Sequence, residues 1–263
     1  MALIHLNFHS DILGMAMQAD VILPQKNTSL IGLKTTESET YPTLWLLHGL
    51  SDDNTIWQRR TSIERYASER GIAVVMVNGH KSWYCDMKYG ERYFTYLTEE
   101  LPKICRHFFR GMSARREDNV VAGLSMGGYG ALKCALTYPD RYAAAASLSG
   151  AVDIAAYVEG KKEQENPYWY AILGDFDKVR GSENDLFALA ERCAASPQKP
   201  RLSLWCGTED HLIHANRRLK AHLDALSLAP CYAESEGDHS WTWWDLHIRD
   251  ALAFFFDPSA ENS

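Results

Sequence analysis

A single short segment, Gly-Leu-Ser-Met-Gly-Gly at residues 123–128, constrains the fold of this chain more than any other feature. An apolar run at 119–122 precedes it and a helix-favouring run at 129–136 follows it, which predicts a strand, a sharp turn and a helix. Ser125 lies at the apex of that turn, where its backbone is strained and a Cβ atom on the glycines two residues away would crowd the chain. A serine raised on such a turn exposes its hydroxyl, as a nucleophile requires.

The remaining pattern alternates apolar, strand-like runs with longer helical ones. Strands are predicted at residues 4–8, 16–23, 43–47, 72–77, 119–123, 142–148, 201–206 and 231–234. Helices are predicted at 63–69, 92–109, 126–137, 186–194, 215–226 and about 242–256, with a kink at Pro102 and a polar loop over 24–42. Strands that alternate with helices indicate the α/β class, with a mostly parallel central sheet of about eight strands and helices on both faces.

No linker, repeat or low-complexity tract divides the chain, so we expect residues 1–263 to form one domain. Residues 151–200 interrupt the alternation with a polar run and with the cluster Pro-Tyr-Trp-Tyr at 167–170. A segment of this kind in an array of strands and helices is typical of an insertion that covers a site. We therefore expect residues 151–200 to resemble a cap.

The composition argues against several kinds of partner. The formal net charge is −7, from 27 basic and 34 acidic residues, and no Lys/Arg cluster occurs, which argues against nucleic acid. No apolar run approaches the roughly 20 residues that span a bilayer, and the N-terminus lacks the pattern of a signal peptide, so we expect no membrane association. The six cysteines are scattered without a CxxC pair or metal-ligand spacing, which favours free thiols, no metal and a cytoplasmic location.

Two polar segments supply partners for Ser125, which needs a base to take its proton and a carboxylate to orient that base. The strand at 201–206 runs into Gly-Thr-Glu-Asp-His, and an acid just beyond a parallel strand lies at the edge where such sheets place their sites. Asp210 is the preferred acid and Glu209 the runner-up. His239 follows the next strand in a polar loop and is the expected base. Ser125, Asp210 and His239 therefore form a candidate catalytic triad in the order serine, acid, histidine.

Two backbone N–H groups are needed to stabilise the oxyanion that forms when a serine attacks a carbonyl. One is that of Met126, which opens a helix and has no acceptor within it. The other is expected in the loop after the strand at 43–47, which reads His-Gly-Leu-Ser-Asp. Leu50 is the preferred second donor of this oxyanion hole, with Gly49 and Ser51 as alternatives.

Tryptophans near predicted strand ends or in the insertion are candidates for the wall of a substrate pocket. Trp83, Trp169 and Trp241 are the preferred substrate-binding residues. Packing in the core or on a helix face is the alternative for each of them. Packing is the favoured interpretation for Trp243 and Trp244, at the start of the last helix.

Four segments together resemble one branch of the α/β-hydrolases. They are His-Gly-Leu at 48–50, Gly-Leu-Ser-Met-Gly-Gly-Tyr-Gly-Ala-Leu-Lys at 123–133, Gly-Thr-Glu-Asp at 207–210 and Asp-His-Ser-Trp at 238–241. The combination, which extends from about residue 5 to 256, is similar to the esterase D-like family of S-formylglutathione hydrolases, feruloyl and acetyl-xylan esterases and mycolyltransferase antigens. The segment Ser-Trp-Tyr-Cys-Asp-Met-Lys-Tyr-Gly at 82–90 is most similar to the small bacterial tributyrin esterases.

The resemblance implies an α/β-hydrolase fold and a serine carboxylesterase that hydrolyses small-molecule esters of short acyl chains, acetyl to butyryl, through an acyl-enzyme and without a cofactor. It also allows a homo-oligomer. The alternatives are an acetyl-xylan or feruloyl-type carbohydrate esterase and an S-formylglutathione-type thioesterase. S-formylglutathione hydrolases usually carry Thr-Cys where this chain has Ser51-Asp52, which disfavours the thioesterase. A non-catalytic binding module is the remote alternative, disfavoured because serine, acid and histidine are all present.

Overall fold

Eight strands form one continuous sheet in the computed structural model of the chain, which describes residues 1–25 and 39–257. The strands are β1 (Ala2–Ser10), β2 (Met15–Leu23), β3 (Thr43–Leu47), β4 (Ala73–Val77), β5 (Asn119–Leu124), β6 (Ala144–Leu148), β7 (Arg201–Gly207) and β8 (Cys231–Ser235). Their spatial order is β1-β2-β4-β3-β5-β6-β7-β8. All pairs from β4 to β8 in this order are parallel, whereas β2 pairs antiparallel with both β1 and β4.

Burial explains why the two kinds of strand differ in sequence. The central strands β3, β4, β5 and β6 are buried along their whole length and consist mostly of apolar residues, as expected for parallel strands covered on both faces. The edge strand β1 instead alternates between half-buried and exposed residues, because only one of its faces is covered. The predicted α/β class with a mostly parallel sheet of about eight strands is confirmed.

The α-helices within the described ranges connect these strands. They are α1 (Ile56–Arg60), α2 (Ile63–Arg70), α3 (Tyr93–Thr95), α4 (Leu101–Phe108), α5 (Met126–Thr137), α6 (Ile154–Val158), α7 (Pro167–Leu173), α8 (Leu186–Ala194), α9 (Ile213–Ala225) and α10 (Trp241–Phe256). The predictions for α5 and α8 have the observed bounds, and those for α2, α9 and α10 differ from the structure by two residues or fewer at each end.

Two apolar cores lie on opposite faces of the sheet. Successive residues of β3 alternate between them, with Trp45 and Leu47 in one core and Leu44 and Leu46 in the other. Helices α4, α5, α8 and α9 contribute buried residues to the first core. Helices α1, α2 and α10 contribute to the second. The predicted placement of helices on both faces is therefore confirmed.

The helix predicted over residues 92–109 is observed as one helical run over 93–108 that contains a π-helical turn. A π-helical turn over Tyr96–Glu100 separates α3 from α4, in which Pro102 is the second residue. Proline lacks the N–H that would bond to the carbonyl four residues earlier, and its ring crowds that carbonyl. The carbonyl in question belongs to Thr98, and it accepts a hydrogen bond from Arg141 at 3.3 Å instead. Pro102 therefore accompanies a π-helical distortion within a helix that continues on both sides of it.

Three short helices, α1, α6 and α7, have no counterpart among the sequence-based predictions. They have 5, 5 and 7 residues, too few to display a helical period. One local signal was available for α6, because the side chain of Asp153 caps it by accepting from the N–H of Ala156 at 3.2 Å. Most of the polar loop predicted over 24–42 lies outside the described residues.

Two expectations about the chain's environment concern its helices and its cysteines. Over residues 1–25 and 39–257, no helix combines the length and the apolar character needed to cross a bilayer. All six cysteines are free, with Cys231 exposed and the other five buried. Their free state agrees with the predicted absence of a disulfide framework.

Candidate active site

The turn between β5 and α5 places Ser125 in a strained conformation. Its φ is 52° and its ψ −116°, a combination that residues with a side chain rarely adopt. A Cβ atom on Gly123 would lie 2.4 Å from the carbonyl of Gly127, and one on Gly127 would lie 2.4 Å from the carbonyl oxygen of Leu47. The two glycines are therefore required by the close approach of backbone segments, as the sequence predicts.

The ends of three strands bring Ser125, Asp210 and His239 together. Ser125 follows β5 directly, and the other two lie in the loops after β7 and β8. The Nε2 atom of His239 lies 3.0 Å from Ser125 Oγ, and its Nδ1 atom lies 2.8 Å from Asp210 Oδ2. Since a carboxylate only accepts hydrogen bonds, Nδ1 carries the proton and Nε2 accepts from the serine hydroxyl. This is the order of hydrogen bonds in which an imidazole can take a proton from a serine.

Burial distinguishes Asp210 from its neighbour Glu209. Asp210 is only 2% exposed, whereas Glu209 lies on the surface. Burial raises the pKa of the Asp210 carboxyl, but hydrogen bonds from His239 and from the backbone N–H of Leu212 outweigh this effect and leave that pKa below its usual value. The carboxyl group is therefore ionised at neutral pH and holds His239 in one tautomer.

The loop after β3 is held by the imidazole of His48. Its Nδ1 atom lies 2.7 Å from the carbonyl oxygen of Gly49, and its Nε2 atom accepts from the backbone N–H of Gly79 at 2.9 Å. A carbonyl only accepts and an N–H only donates, so the neutral tautomer with the proton on Nδ1 satisfies both partners. The C=O and N–H of a trans peptide point in opposite directions, so the N–H of Leu50 points away from the imidazole.

Burial maintains the neutral form of His48. The residue is fully enclosed, and burial lowers the pKa of its imidazole to about 4. The hydroxyl of Tyr84 donates to the carbonyl of His48 at 3.0 Å, and Trp57 Nε1 donates to the carbonyl of Leu47 at 3.1 Å. The backbone of this loop is therefore fixed by its own imidazole and by side chains from two other parts of the chain.

The two backbone segments that carry the expected oxyanion donors meet at Ser125. Met126 is the first residue of α5, so its N–H has no acceptor within the helix. Gly49 and Leu50 line the same pocket as the serine, and a Cβ atom on Gly49 would lie 3.8 Å from Ser125 Cβ. Leu50 and Met126 are thus both adjacent to the serine in space.

An open cavity of about 780 Å³ lies over the serine. Ser125 and His239 line it, as do all three tryptophans that the sequence singled out, Trp83, Trp169 and Trp241. The principal lining residues that sequence reasoning missed are Asp52, Tyr157, Tyr168, His211, Arg218 and Trp244. Its shape and its mixed aromatic and polar lining are typical of a small-molecule site.

Two buried indoles form one wall of the cavity. The ring centroids of Trp83 and Trp169 lie 4.5 Å apart. Trp83 Nε1 donates to the hydroxyl of Tyr168 at 3.0 Å, and that hydroxyl donates to the carbonyl of Lys81 at 2.7 Å. Packing and hydrogen bonds therefore hold this aromatic wall in place.

Trp244 has a contact that the sequence does not indicate. The prediction of a packing role is correct, because its ring belongs to the core beneath α10. The same ring also meets the imidazole of His239 edge-on, with centroids 4.9 Å apart and planes at 88°. Trp241 in turn packs edge-on against Trp244 at 5.3 Å. The two tryptophans thus support the face of the pocket on which His239 lies.

The polar side of the pocket combines residues that are distant in sequence. Arg218 of α9 forms an ion pair with Asp153 at 2.7 Å, and no local pattern connects these two positions.

His211 could have been noticed in the sequence as the histidine that follows the candidate acid. Within the described ranges, its side chain and those of Asp210 and His239 form a group that could hold a metal ion.

The fold and this arrangement define a serine hydrolase of the α/β-hydrolase fold. The Esterase family model matches residues 10–255, and the chain belongs to that family. An acetyl esterase from Caldicellulosiruptor saccharolyticus is 30% identical over 259 residues, which cover 96% of this chain and 97% of that protein. The predicted family, the predicted hydrolytic enzyme and the predicted serine esterase class are confirmed.

Solved structures from Staphylococcus aureus are similar over nearly the whole chain. The fluorophosphonate-binding serine hydrolase FphF, with substrate bound, is 35% identical with a TM-score of 0.86, covering 97% of this chain and 98% of its own. The S-formylglutathione hydrolase FrmB, as the apoenzyme, is 35% identical with a TM-score of 0.83, covering 97% of this chain and 99% of its own. These similarities decide against the alternative of a non-catalytic binding module.

Proposed function

We propose that this esterase hydrolyses carboxylic esters of short acyl chains, acetyl to butyryl, through an acyl-enzyme on Ser125. The observation that carries the proposal is the continuous hydrogen-bonded path from Ser125 Oγ through His239 to Asp210, at the base of an open cavity. A hydroxyl that donates to a neutral imidazole is the arrangement that makes serine nucleophilic.

In the first half of the reaction, Ser125 Oγ attacks the ester carbonyl while His239 Nε2 takes the hydroxyl proton. Asp210 stabilises the imidazolium that results and keeps the ring oriented. His239 then returns the proton to the leaving alcohol, which departs as the acyl-enzyme forms. In the second half, His239 takes a proton from water, the resulting hydroxide attacks the acyl-enzyme, and the acid leaves as Ser125 regains its proton.

The oxyanion of each tetrahedral intermediate is bound by the backbone N–H groups of Leu50 and Met126. For Leu50, the support is the anchored carbonyl of Gly49, which directs the next N–H away from His48. For Met126, it is the position at the start of α5, where the helix dipole also favours negative charge. Each donor is expected to contribute about 3 kcal/mol to the stabilisation of the transition state.

The preference for short chains rests on the aromatic wall. The indoles of Trp83 and Trp169 are buried and hydrogen-bonded, so they do not yield readily to a long acyl chain. The similarity to a protein named acetyl esterase supports the same preference.

We also propose that residues 151–200, which supply Trp169 and Tyr168, act as a cap within a single domain. A cytoplasmic location and a homo-oligomer remain predictions from the sequence.

A series of p-nitrophenyl esters from acetate to laurate tests the preference for short acyl chains. We expect kcat/KM to be highest between acetate and butyrate, and a maximum at decanoate or laurate would contradict the proposal. Trp83→Ala should move the maximum towards longer esters, because it removes part of the wall. Trp243→Ala is the matched control, since Trp243 does not line the cavity and should leave the maximum unchanged.

A thioesterase that acts on S-formylglutathione is the second candidate, favoured by the similarity to FrmB. Asp52 argues against it, because its carboxylate lines the cavity close to Ser125 and would repel the anionic glutathione group. Comparison of kcat/KM for S-formylglutathione and p-nitrophenyl acetate separates the two functions. We expect the oxygen ester to be preferred, and Asp52→Asn to improve the thioester selectively. A strong preference of the unaltered enzyme for S-formylglutathione would instead establish the thioesterase.

A further inference from the structure

His211 lies beside the proposed triad but has no part in the proposed chemistry. Its Nδ1 atom lies 3.4 Å from Asp210 Oδ1, the carboxylate oxygen opposite the one that faces His239. Its ring centroid lies 4.9 Å from that of His239, at an interplanar angle of 62°. Its side chain is 70% exposed and lines the open cavity. Asp210 thus has an imidazole beside each of its two oxygens.

These three side chains offer a set of ligands suited to zinc. One ligand atom from each of Asp210, His211 and His239 lies within 4.8 Å of the other two. Two imidazoles and one carboxylate are the three protein ligands of a common class of zinc site, in which a fourth position stays open to water. Zinc–ligand distances of about 2.0–2.2 Å place tetrahedral ligands roughly 3.3 Å apart. The exposed His211 must therefore rotate towards the other two ligands, and the His239–Asp210 pair, now 2.8 Å apart, must open slightly.

We propose that Asp210, His211 and His239 form a binding site for Zn²⁺ and that its occupation reversibly inhibits the esterase. The ion reaches the site from solvent through the cavity, which His211 and His239 both line. The buried carboxylate and the triad imidazole are already held in place at 2.8 Å from each other, so the site is largely preformed. His211 is the residue that converts this pair into a three-ligand site.

Inhibition follows from coordination of His239 through Nδ1, the ring nitrogen that faces Asp210. Coordination of Nδ1 displaces the proton that is donated to Asp210, and the imidazole then loses the partner that orients it. A neutral imidazole that coordinates through Nδ1 carries its proton on Nε2, so Nε2 no longer accepts the proton of Ser125. The inhibition thus rests on the proposed function of His239, whereas the metal binding does not.

The first test is a Zn²⁺ titration of p-nitrophenyl acetate hydrolysis. We expect inhibition of the unaltered enzyme that is reversed by excess EDTA. His211→Asn removes one ligand and should raise the inhibition constant for Zn²⁺ by about tenfold or more. The activity of each variant is compared with its own activity in the absence of metal. His214→Asn is the matched control, because His214 is another exposed histidine, located in α9, that is not part of the three-residue group. Equal inhibition constants for the unaltered enzyme and His211→Asn would overturn the proposal.

The second test measures binding without catalysis. The Ser125→Ala variant retains all three ligands, so it should compete with a chromogenic chelator for one Zn²⁺ per chain. The double variant with Ser125→Ala and His211→Asn should not compete. Binding unaffected by His211→Asn would refute the site. Binding that depends on His211, combined with full activity of the zinc-loaded unaltered enzyme, would keep the site but overturn both the inhibition and the proposed role of His239.

Discussion

His48 provides a specific test of how the oxyanion hole is built. Its two ring nitrogens hold two different backbone groups, the carbonyl of Gly49 and the N–H of Gly79. Asparagine places an amide nitrogen near the position of Nδ1, and glutamine places an amide oxygen near the position of Nε2. His48→Asn can therefore still donate to Gly49, whereas His48→Gln can still accept from Gly79 but leaves the Gly49 carbonyl without its donor.

The expected effect follows from what the Gly49 carbonyl controls. Its hydrogen bond to His48 measures 2.7 Å and is fully buried, while its other partner, the N–H of Asp52, is more distant at 3.3 Å. Without the closer partner, the peptide that carries the N–H of Leu50 loses its fixed orientation. Loss of one oxyanion donor typically costs about 2.7–4 kcal/mol, or 10²–10³ in kcat. We expect His48→Gln to lose about 10²-fold in kcat and His48→Asn to lose about tenfold or less.

Steady-state kinetics with p-nitrophenyl acetate can separate this effect from loss of folding. The reduction should appear in kcat with little change in KM, because the oxyanion exists only in the transition state. Affinity for a trifluoromethyl ketone, which forms an oxyanion on the serine, should fall in parallel. Urea unfolding reports the stability of each variant under the same conditions.

Three results would contradict this role of His48. One is an equal loss of kcat in His48→Gln and His48→Asn, because the two substitutions remove different hydrogen bonds. Another is a change confined to KM, which would indicate a role in ground-state binding. A loss of stability without any loss of kcat in His48→Gln would show that the imidazole supports the fold but not the orientation of Leu50.

Further predictions concern the triad, the second donor and the response to acid. Ser125→Ala should leave under about 0.1% of activity and abolish fluorophosphonate labelling; residual activity near that of the unaltered enzyme would exclude Ser125 as the nucleophile. Asp210→Asn should lower kcat by the order of 10³–10⁴, since an amide does not hold the required tautomer of His239; stopped-flow and steady-state assays of ester hydrolysis measure this loss. Leu50→Ala should retain most activity because the donor is a backbone group, and a loss as large as that of Ser125→Ala would contradict the assignment. The free energy of unfolding should fall by about 3 kcal/mol between pH 6.5 and 4, because His48 takes up a proton near pH 6.5 when unfolded but only near pH 4 when folded. Urea unfolding across this pH range should show a smaller decline in His48→Asn, and an equal decline would exclude His48 as the source.

Much of the fold could be predicted because its signals are local in sequence. A parallel strand covered on both faces is a short apolar run, and β3, β4, β5 and β6 all have this character. The connection rules of parallel sheets then place the segments after β5, β7 and β8 at one edge. The π-helical turn ahead of Pro102 was not predictable in this way, and the Thr98 carbonyl within it accepts a hydrogen bond from Arg141, a residue distant in sequence.

The choice between adjacent acids shows where local patterns reach their limit. Asp210 and Glu209 are adjacent acids that follow the same strand, and sequence position favours Asp210 without excluding Glu209. Burial separates them, because only the Asp210 carboxylate is enclosed and directed at His239. The same limit applies to Trp244, whose helical position indicates packing but not the edge-on contact with His239.

The amino-acid sequence alone was enough to predict the strained serine turn, the order of serine, acid and histidine, and the family. These depend on spacing within short segments and on chain connectivity, which a sequence displays directly. The side chains that orient these residues become apparent only in the folded protein. His48 meets the N–H of a residue 31 positions away, and His239 meets a serine 114 positions away. The contact between Trp83 and Trp169 and the shape of the cavity likewise arise from packing between distant elements, where a hydrogen bond or ring contact has no counterpart in local periodicity.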